Sequence, residues 1–123
     1  MFQECNSSGK HMICDFKGIQ NLKLLNNIDD LKNMLKEVCK INDFNILKES
    51  EYQFFPIGIS ILFLLSESHL SVHTFPEKTH MSFDIYTCRQ YNDNTVYMEI
   101  YNFLINKLEA SLDSNCKIVD RHF

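Results

Sequence analysis

Ile57-Gly58-Ile59-Ser60-Ile61-Leu62-Phe63-Leu64-Leu65 runs directly into Ser66-Glu67-Ser68-His69-Leu70-Ser71-Val72-His73-Thr74-Phe75-Pro76-Glu77. The first segment is apolar on both faces of an extended chain. It therefore reads as a strand that is central in a sheet or sandwiched between layers. A buried strand normally ends in a turn of Gly, Asn or Pro. This one ends in a run with three serines, two histidines and two glutamates, groups that attack, transfer protons or bind ions.

Outward from this pair of segments, the periodicities predict a simple order of elements. Residues 11–16 read as a short strand. Asn27 is a helix cap, with Asp29 and Asp30 in the first turn where negative charge suits the helix dipole. Ile28, Leu31, Met34, Leu35, Val38 and Cys39 then recur at helical spacing. Residues 44–54, 57–65, 69–75 and 81–87 read as strands. In the last, Phe83, Ile85 and Thr87 face one way and Asp84, Tyr86 and Cys88 the other. Asn92-Asp93-Asn94 is a turn, and Thr95 caps a second helix with Val96, Ile100, Phe103, Leu104 and Leu108 on one stripe. Residues 117–123 close the chain as a strand. The order βα, four strands, αβ predicts an α+β fold: a two-layer α/β sandwich with a mostly antiparallel sheet and two helices on one face. Residues 1–123 form a single domain, with 1–9 a loose leader.

The chain has 123 residues, is 45% hydrophobic, and carries a formal charge of -4 with a pI near 5.7. An acidic balance with dispersed lysines argues against nucleic acid or an anionic membrane as the main partner. A domain this small buries roughly two thirds of its unfolded surface, so dimerisation would help it. The N-terminus lacks the basic and apolar regions of a signal peptide. The apolar run 54–65 is too short to span a bilayer and is broken by Pro56, Gly58 and Ser60. The five cysteines, Cys5, Cys14, Cys39, Cys88 and Cys116, form no C-x-x-C pair, which fits a reduced, cytoplasmic protein.

Several side chains could carry chemistry. Ser68 follows a buried strand directly and is flanked by Glu67 and His69. A hydroxyl held against the preceding carbonyl can convert the amide to an ester. Loss of the serine α-proton then expels the ester oxygen, and hydrolysis leaves a pyruvoyl group on a new N-terminus. Such a shift needs a strained peptide, an oxyanion stabiliser and a base. His69 and His73, four apart, point to the same face of a strand. No third ligand at characteristic spacing accompanies them, so no metal is expected, and acid–base work suits His73 better. Cys88 is either an inert buried thiol or a proton donor. The Ser60 hydroxyl needs a partner within an apolar strand, either backbone or a reacting carbonyl. Phe54 is either core or a ring for a purine or a cation. Glu77 is either a loop charge or a ligand for ribose hydroxyls or an ammonium.

These positions together resemble the prokaryotic S-adenosylmethionine decarboxylases over nearly the whole chain, from about Gly9 onward. The resemblance rests on Gly9-Lys10-His11 with Asp15-Phe16, on Phe54-x-Pro56-x-Gly58-x-Ser60, and on Ser66-Glu67-Ser68-His69-Leu70. It continues through His73-Thr74-Phe75-Pro76-Glu77 and Asp84-Ile85-Tyr86-Thr87-Cys88. It implies autocatalytic cleavage of a zymogen between residues 67 and 68, with Ser68 becoming the pyruvoyl cofactor and the Schiff-base partner of the substrate amine. It implies that His73 and Ser60 serve processing, that Glu67 is the cleavage-site residue, and that Cys88 protonates the substrate carbon. Phe54, Glu77 and Leu70 are implied as substrate contacts, with sites shared across a homodimer. The implied product is decarboxylated S-adenosylmethionine, the aminopropyl donor of spermidine and polyamine biosynthesis.

Ile61, Lys78-Thr79-His80-Met81 and Arg89 depart from the family pattern. The segment 78–81 and Arg89 are expected near the pocket. They raise the alternative of an ornithine or arginine decarboxylase, because pyruvoyl chemistry needs only an amine beside a carboxylate. A non-processing partner or scaffold of the same fold is the remaining alternative.

Overall fold

The structure, a computed structural model, describes residues 6–123. Its strands are β1 (Ser7–Phe16), β2 (Ile46–Gln53), β3 (Ile59–Leu65), β4 (Ser68–Phe75), β5 (His80–Thr87) and β6 (Asn115–His122). Its helices are α1 (Leu22–Asn26), α2 (Ile28–Ile41) and α3 (Thr95–Leu108), with a 3-10 turn at Pro76–Lys78. One six-stranded sheet runs in the order β2-β3-β4-β5-β1-β6, and each neighbouring pair is antiparallel. Strands β2 to β5 form a meander. The first strand is slotted between β5 and β6, so α1 and α2 carry the chain across the sheet and α3 returns it. No helix among the described residues is long and apolar enough to cross a membrane.

Period-two alternation decides the core. Phe63 of β3, Leu70 of β4, Ile85 of β5 and Met12 of β1 are fully buried. They meet Leu31 and Leu35 of α2 and Ile100 and Leu104 of α3 in one apolar cluster. Helix α2 starts as its sequence predicts: the Asn27 side chain accepts from the Asp30 amide at 3.0 Å. The edge strand β2 is held differently. Its Glu49 and Glu51 face the helices, where Lys32 reaches both carboxylates at 3.2 and 3.0 Å and Lys36 reaches Glu49 at 3.4 Å.

Four readings of the sequence change. The segment read as central in a sheet or sandwiched between layers does lie inside the sheet, between β2 and β4, but it is not sandwiched: Leu62 and Leu64 are 48% and 47% exposed, because every helix packs on the other side of the sheet. Ser7, Ser8 and Gly9, expected in a loose leader, are the start of β1 and pair with β6 through Ser7 to His122 and Gly9 to Arg121; residues 1–5 of that leader lie outside the described residues. Helix α1 was not anticipated, being too short for a periodic signal. Thr95 does not cap α3. It is the first helical residue, Asn94 is the cap position, and the Thr95 amide donates to Asp93 at 2.9 Å.

Thr87 and Tyr97 are fully buried polar residues whose hydroxyls pair at 2.7 Å, joining the end of β5 to α3. Tyr97→Phe leaves the Thr87 hydroxyl without this partner. It is expected to lower the unfolding free energy by about 1–3 kcal/mol, read as a shifted urea midpoint at unchanged slope.

Candidate active site

Strands β3 and β4 pair from Ser60 opposite His73 down to Leu65 opposite Ser68, so only Ser66 and Glu67 make the turn. A two-residue turn needs a left-handed residue, and Glu67 supplies it with φ +52°. Holding a non-glycine residue there costs about 1–3 kcal/mol, so the peptide before Ser68 carries strain. Ser68 is only 9% exposed, and its Oγ accepts from the Cys88 amide at 3.3 Å. The Cys88 thiol reaches Glu67 Oε2 at 3.6 Å. These residues line a cleft of about 580 Å3 together with Phe44, Leu47 and Arg89. That volume falls within the usual span of small-molecule sites, roughly 300–1,000 Å3. A strained Glu-Ser bond at a cleft wall, with a thiol beside it, fits a serine-derived ketone.

Gly9 explains how Cys88 comes so close. It has φ +106°, and a Cβ there would lie 1.9 Å from the Thr87 carbonyl oxygen and 2.8 Å from Cys88 Cα. Cys88 also differs from the thiols of the core. Burial pushes Cys39 up to about 11 and raises Cys14 further, whereas Cys88 is only partly covered.

Arg89 lines the cleft and is also held by the end of α2. It donates to the Asn42 carbonyl at 2.6 Å and to the Asp43 carbonyl, and its guanidinium lies 4.6 Å from the Phe44 ring centre. It thus ties the Cys88 segment to the C-terminal end of α2, where cations are favoured. Of the segment 78–81, Met81 is in the core, and His80 turns to Ser82 at 3.1 Å and Asp15 at 3.7 Å.

The remaining expected residues lie elsewhere. Ser60 Oγ and His73 Nδ1 are 2.7 Å apart across β3 and β4. His73 is five residues beyond Ser68, about 16 Å along the strand and on the opposite face. Phe54 and Glu77 sit at this same far end. The Phe54 amide donates to the Gly58 carbonyl at 2.8 Å, and its half-exposed ring meets Tyr52 edge-on at 4.9 Å. Glu77 is exposed in the 3-10 turn. Leu70, expected among the substrate contacts, is corrected: its side chain is fully buried in the core, because its place on β4 faces the helices. The chain therefore separates the expected site residues into two groups, with Glu67, Ser68 and Cys88 at one end and Phe54, Ser60, His73 and Glu77 at the other.

A third group went unread in the sequence. On the bare face, His11 Nε2 and His69 Nε2 approach Asp84 Oδ2 at 2.6 and 3.1 Å, and the Ser71 hydroxyl donates to Asp84 Oδ1. Alternation alone put His69, Ser71 and Asp84 on the face they share. Only the pairing of β4 with β5 and of β5 with β1 brings them together with His11. His69 and His73 share a face but not a partner. Burial opposes ionisation of Asp84, yet the hydrogen bonds from Ser71, His11 and His69 outweigh it and hold its carboxyl below the usual range.

A family model described as S-adenosylmethionine decarboxylase matches residues 10–122. The chain is 40% identical over 85 residues to S-adenosylmethionine decarboxylase proenzyme 2 of Bacillus cereus, covering 69% of this chain and 68% of that one. It is 36% identical over 116 residues to the S-adenosylmethionine decarboxylase proenzyme of Brevibacillus brevis, covering 94% and 84%. The fold is shared with the crystal structure of the adenosylmethionine decarboxylase from Aquifex aeolicus, with TM-score 0.82, 24% identity, and 97% and 94% of the two chains covered.

Two outcomes follow from this geometry. Peptide mapping after brief alkylation is expected to find Cys88 modified well before Cys14 or Cys39, since burial both covers those two thiols and opposes their ionisation. Asp84 has a depressed folded pKa, so its stabilisation is present above the unfolded value and is lost as pH falls through the folded one. Asp84→Asn should therefore cost about 1–3 kcal/mol at pH 7, and the gap to wild type should close below about pH 4 in urea titrations.

Proposed function

The chain belongs to the S-adenosylmethionine decarboxylase family, and we propose that it makes its own cofactor by breaking the Glu67–Ser68 bond and completes each site with a second copy of itself. The family decarboxylates S-adenosylmethionine with a serine-derived pyruvoyl group. The ornithine or arginine alternative receives no support from the relatives found. The observation that carries the reading is Ser68, set after a strained two-residue turn with the Cys88 amide on its Oγ.

Processing is chemistry of the chain itself. Ser68 Oγ attacks the Glu67 carbonyl, the C–N bond breaks, and an ester forms. Removal of the Ser68 α-proton expels the ester oxygen, which leaves as the Glu67 carboxylate. Addition of water then releases the former serine nitrogen as ammonia and leaves a ketone at position 68. These steps need a base and an oxyanion donor. The Ser60–His73 pair is suited to both roles, but it lies at the far end of its own protomer. A two-fold axis perpendicular to β4 would set one end of a copy against the opposite end of the other, so that each Ser60–His73 pair meets the other copy's Ser68. The half-exposed Leu62, Leu64 and Ile13 give that second copy an apolar surface to cover.

The pyruvoyl group, once made, supplies a ketone that condenses with the substrate amine and draws electrons as carbon dioxide leaves. The Cys88 thiol returns the proton to the substrate carbon. The Phe54 ring stacks on adenine, and the Glu77 carboxylate accepts from ribose hydroxyls. We place this work in a reducing cytoplasm, where Cys14, Cys39, Cys88 and Cys116 remain thiols.

Intact mass spectrometry is expected to find two pieces split between residues 67 and 68, the second blocked at its start. Ser68→Ala should give one uncut chain, and an uncut wild type would overturn the reading. Sharing of the site has its own test. Ser68→Ala and His73→Ala are each expected to be inactive, and their co-expression to restore about a quarter of wild-type activity, because half of random dimers carry one intact site. No recovery would mean that both groups serve the same protomer.

A further inference from the structure

We infer that His69, gripped by Asp84, is the positioning residue that holds the new chain start created by cleavage against the cleft. This rests on the reading that the chain splits between residues 67 and 68. Before cleavage the turn fixes Ser68 from both sides. Afterwards residue 68 begins a chain, and strand ends fray unless they are tied down. Residue 68 also loses its amide nitrogen, and with it a backbone donor. His69 is then the first residue of β4 with a complete backbone.

Its side chain points away from the core and into the group on the bare face. His69 Nε2 meets Asp84 Oδ2 at 3.1 Å, and that carboxylate is held in turn by His11 at 2.6 Å and by Ser71. The anchor thus spans β4, β5 and β1, three adjacent strands of which β1 belongs to the other cleavage piece. Ring contacts limit the rotation of His69: His11 lies edge-on at 5.4 Å and Tyr86 at 5.9 Å.

Arg121 of β6 sets the protonation pattern. Its guanidinium lies over the Tyr86 ring at 5.2 Å and faces His11 Nδ1 at 3.4 Å. A guanidinium can only donate, so Nδ1 accepts and the His11 proton sits on Nε2, directed at Asp84. The two imidazoles and the carboxylate, their facing atoms all within 4.8 Å of one another, thus close on one another through hydrogen bonds.

The test compares His69→Leu, His69→Gln and Asp84→Asn in the full-length protein. Intact mass is expected to find all three cleaved. Hydrogen exchange of the cleaved proteins is expected to rise about tenfold more at the start of β4 than in the rest of the sheet, in His69→Leu and in Asp84→Asn. Turnover per ketone should fall about tenfold or more in the same two, with KM within about threefold, since a misplaced reacting group lowers kcat first. His69→Gln keeps an N–H for Asp84 and should recover to within about threefold of wild type. Wild-type exchange and turnover in His69→Leu would overturn the inference. So would exchange rising equally across the whole sheet, with no excess at the start of β4, or failure of both His69→Leu and Asp84→Asn to cleave, which would place the anchor in making the cofactor. An uncut wild type would instead overturn the proposed function.

Discussion

A two-residue turn at Ser66-Glu67 locks β3 against β4, and the places of Ser68, Ser60 and His73 follow from that one register. The lock puts Leu65 opposite Ser68 and Ser60 opposite His73. A slip of one residue would turn every side chain of β4 to the other face of the sheet. Ser68 would leave the cleft and Leu70 would leave the core. The register is over-determined, because Leu70 and Val72 must be buried while His69, Ser71 and His73 face the other way. The apolar residues of the core thus fix where the reactive ones point, and they also hold Glu67 in its strained conformation.

The sheet has two faces with different tasks. One is covered by α2 and α3 and carries the apolar cluster. The other bears a polar centre around Asp84, flanked by Leu62 and Leu64 on one side and Ile13 on the other. A carboxylate on an open face would ordinarily gain little from its neighbours. Here three donors converge on it, and burial is already enough to oppose ionisation before those donors prevail. Covering such a face with a second copy would strengthen each of these bonds, because the local dielectric falls.

Of the residues that set this chain apart from its family pattern, Ile61 and Met81 work inward, whereas Lys78 is exposed and Arg89 lines the cleft. Arg89 is held by carbonyls at the end of α2, and Met81 fills the core. Substituted positions near a pocket need not face it, and backbone direction decides the matter. Gly9 makes the converse point. It touches no ligand, yet Cys88 can occupy its place only because position 9 lacks a side chain.

Much of this was legible in the chain itself. A continuous apolar run pointed to β3, alternation to β5 and helical spacing to α2 and α3, and Asn27 announced the start of α2. The family resemblance rested on short, ordered motifs, and Ser68 and Cys88 were among them. What escaped was the short α1, the Thr87–Tyr97 pair, the hydrogen bonds joining His11 and His69 to Asp84, and the separation of the expected site residues into two groups. Periodicity records which face of its own strand a residue occupies, and that is a local property. It does not record which strand lies alongside. Only tertiary packing slots β1 between β5 and β6, which brings His11 to Asp84 and Gly9 beneath Cys88, and only the length of β4 carries His73 out of reach of Ser68.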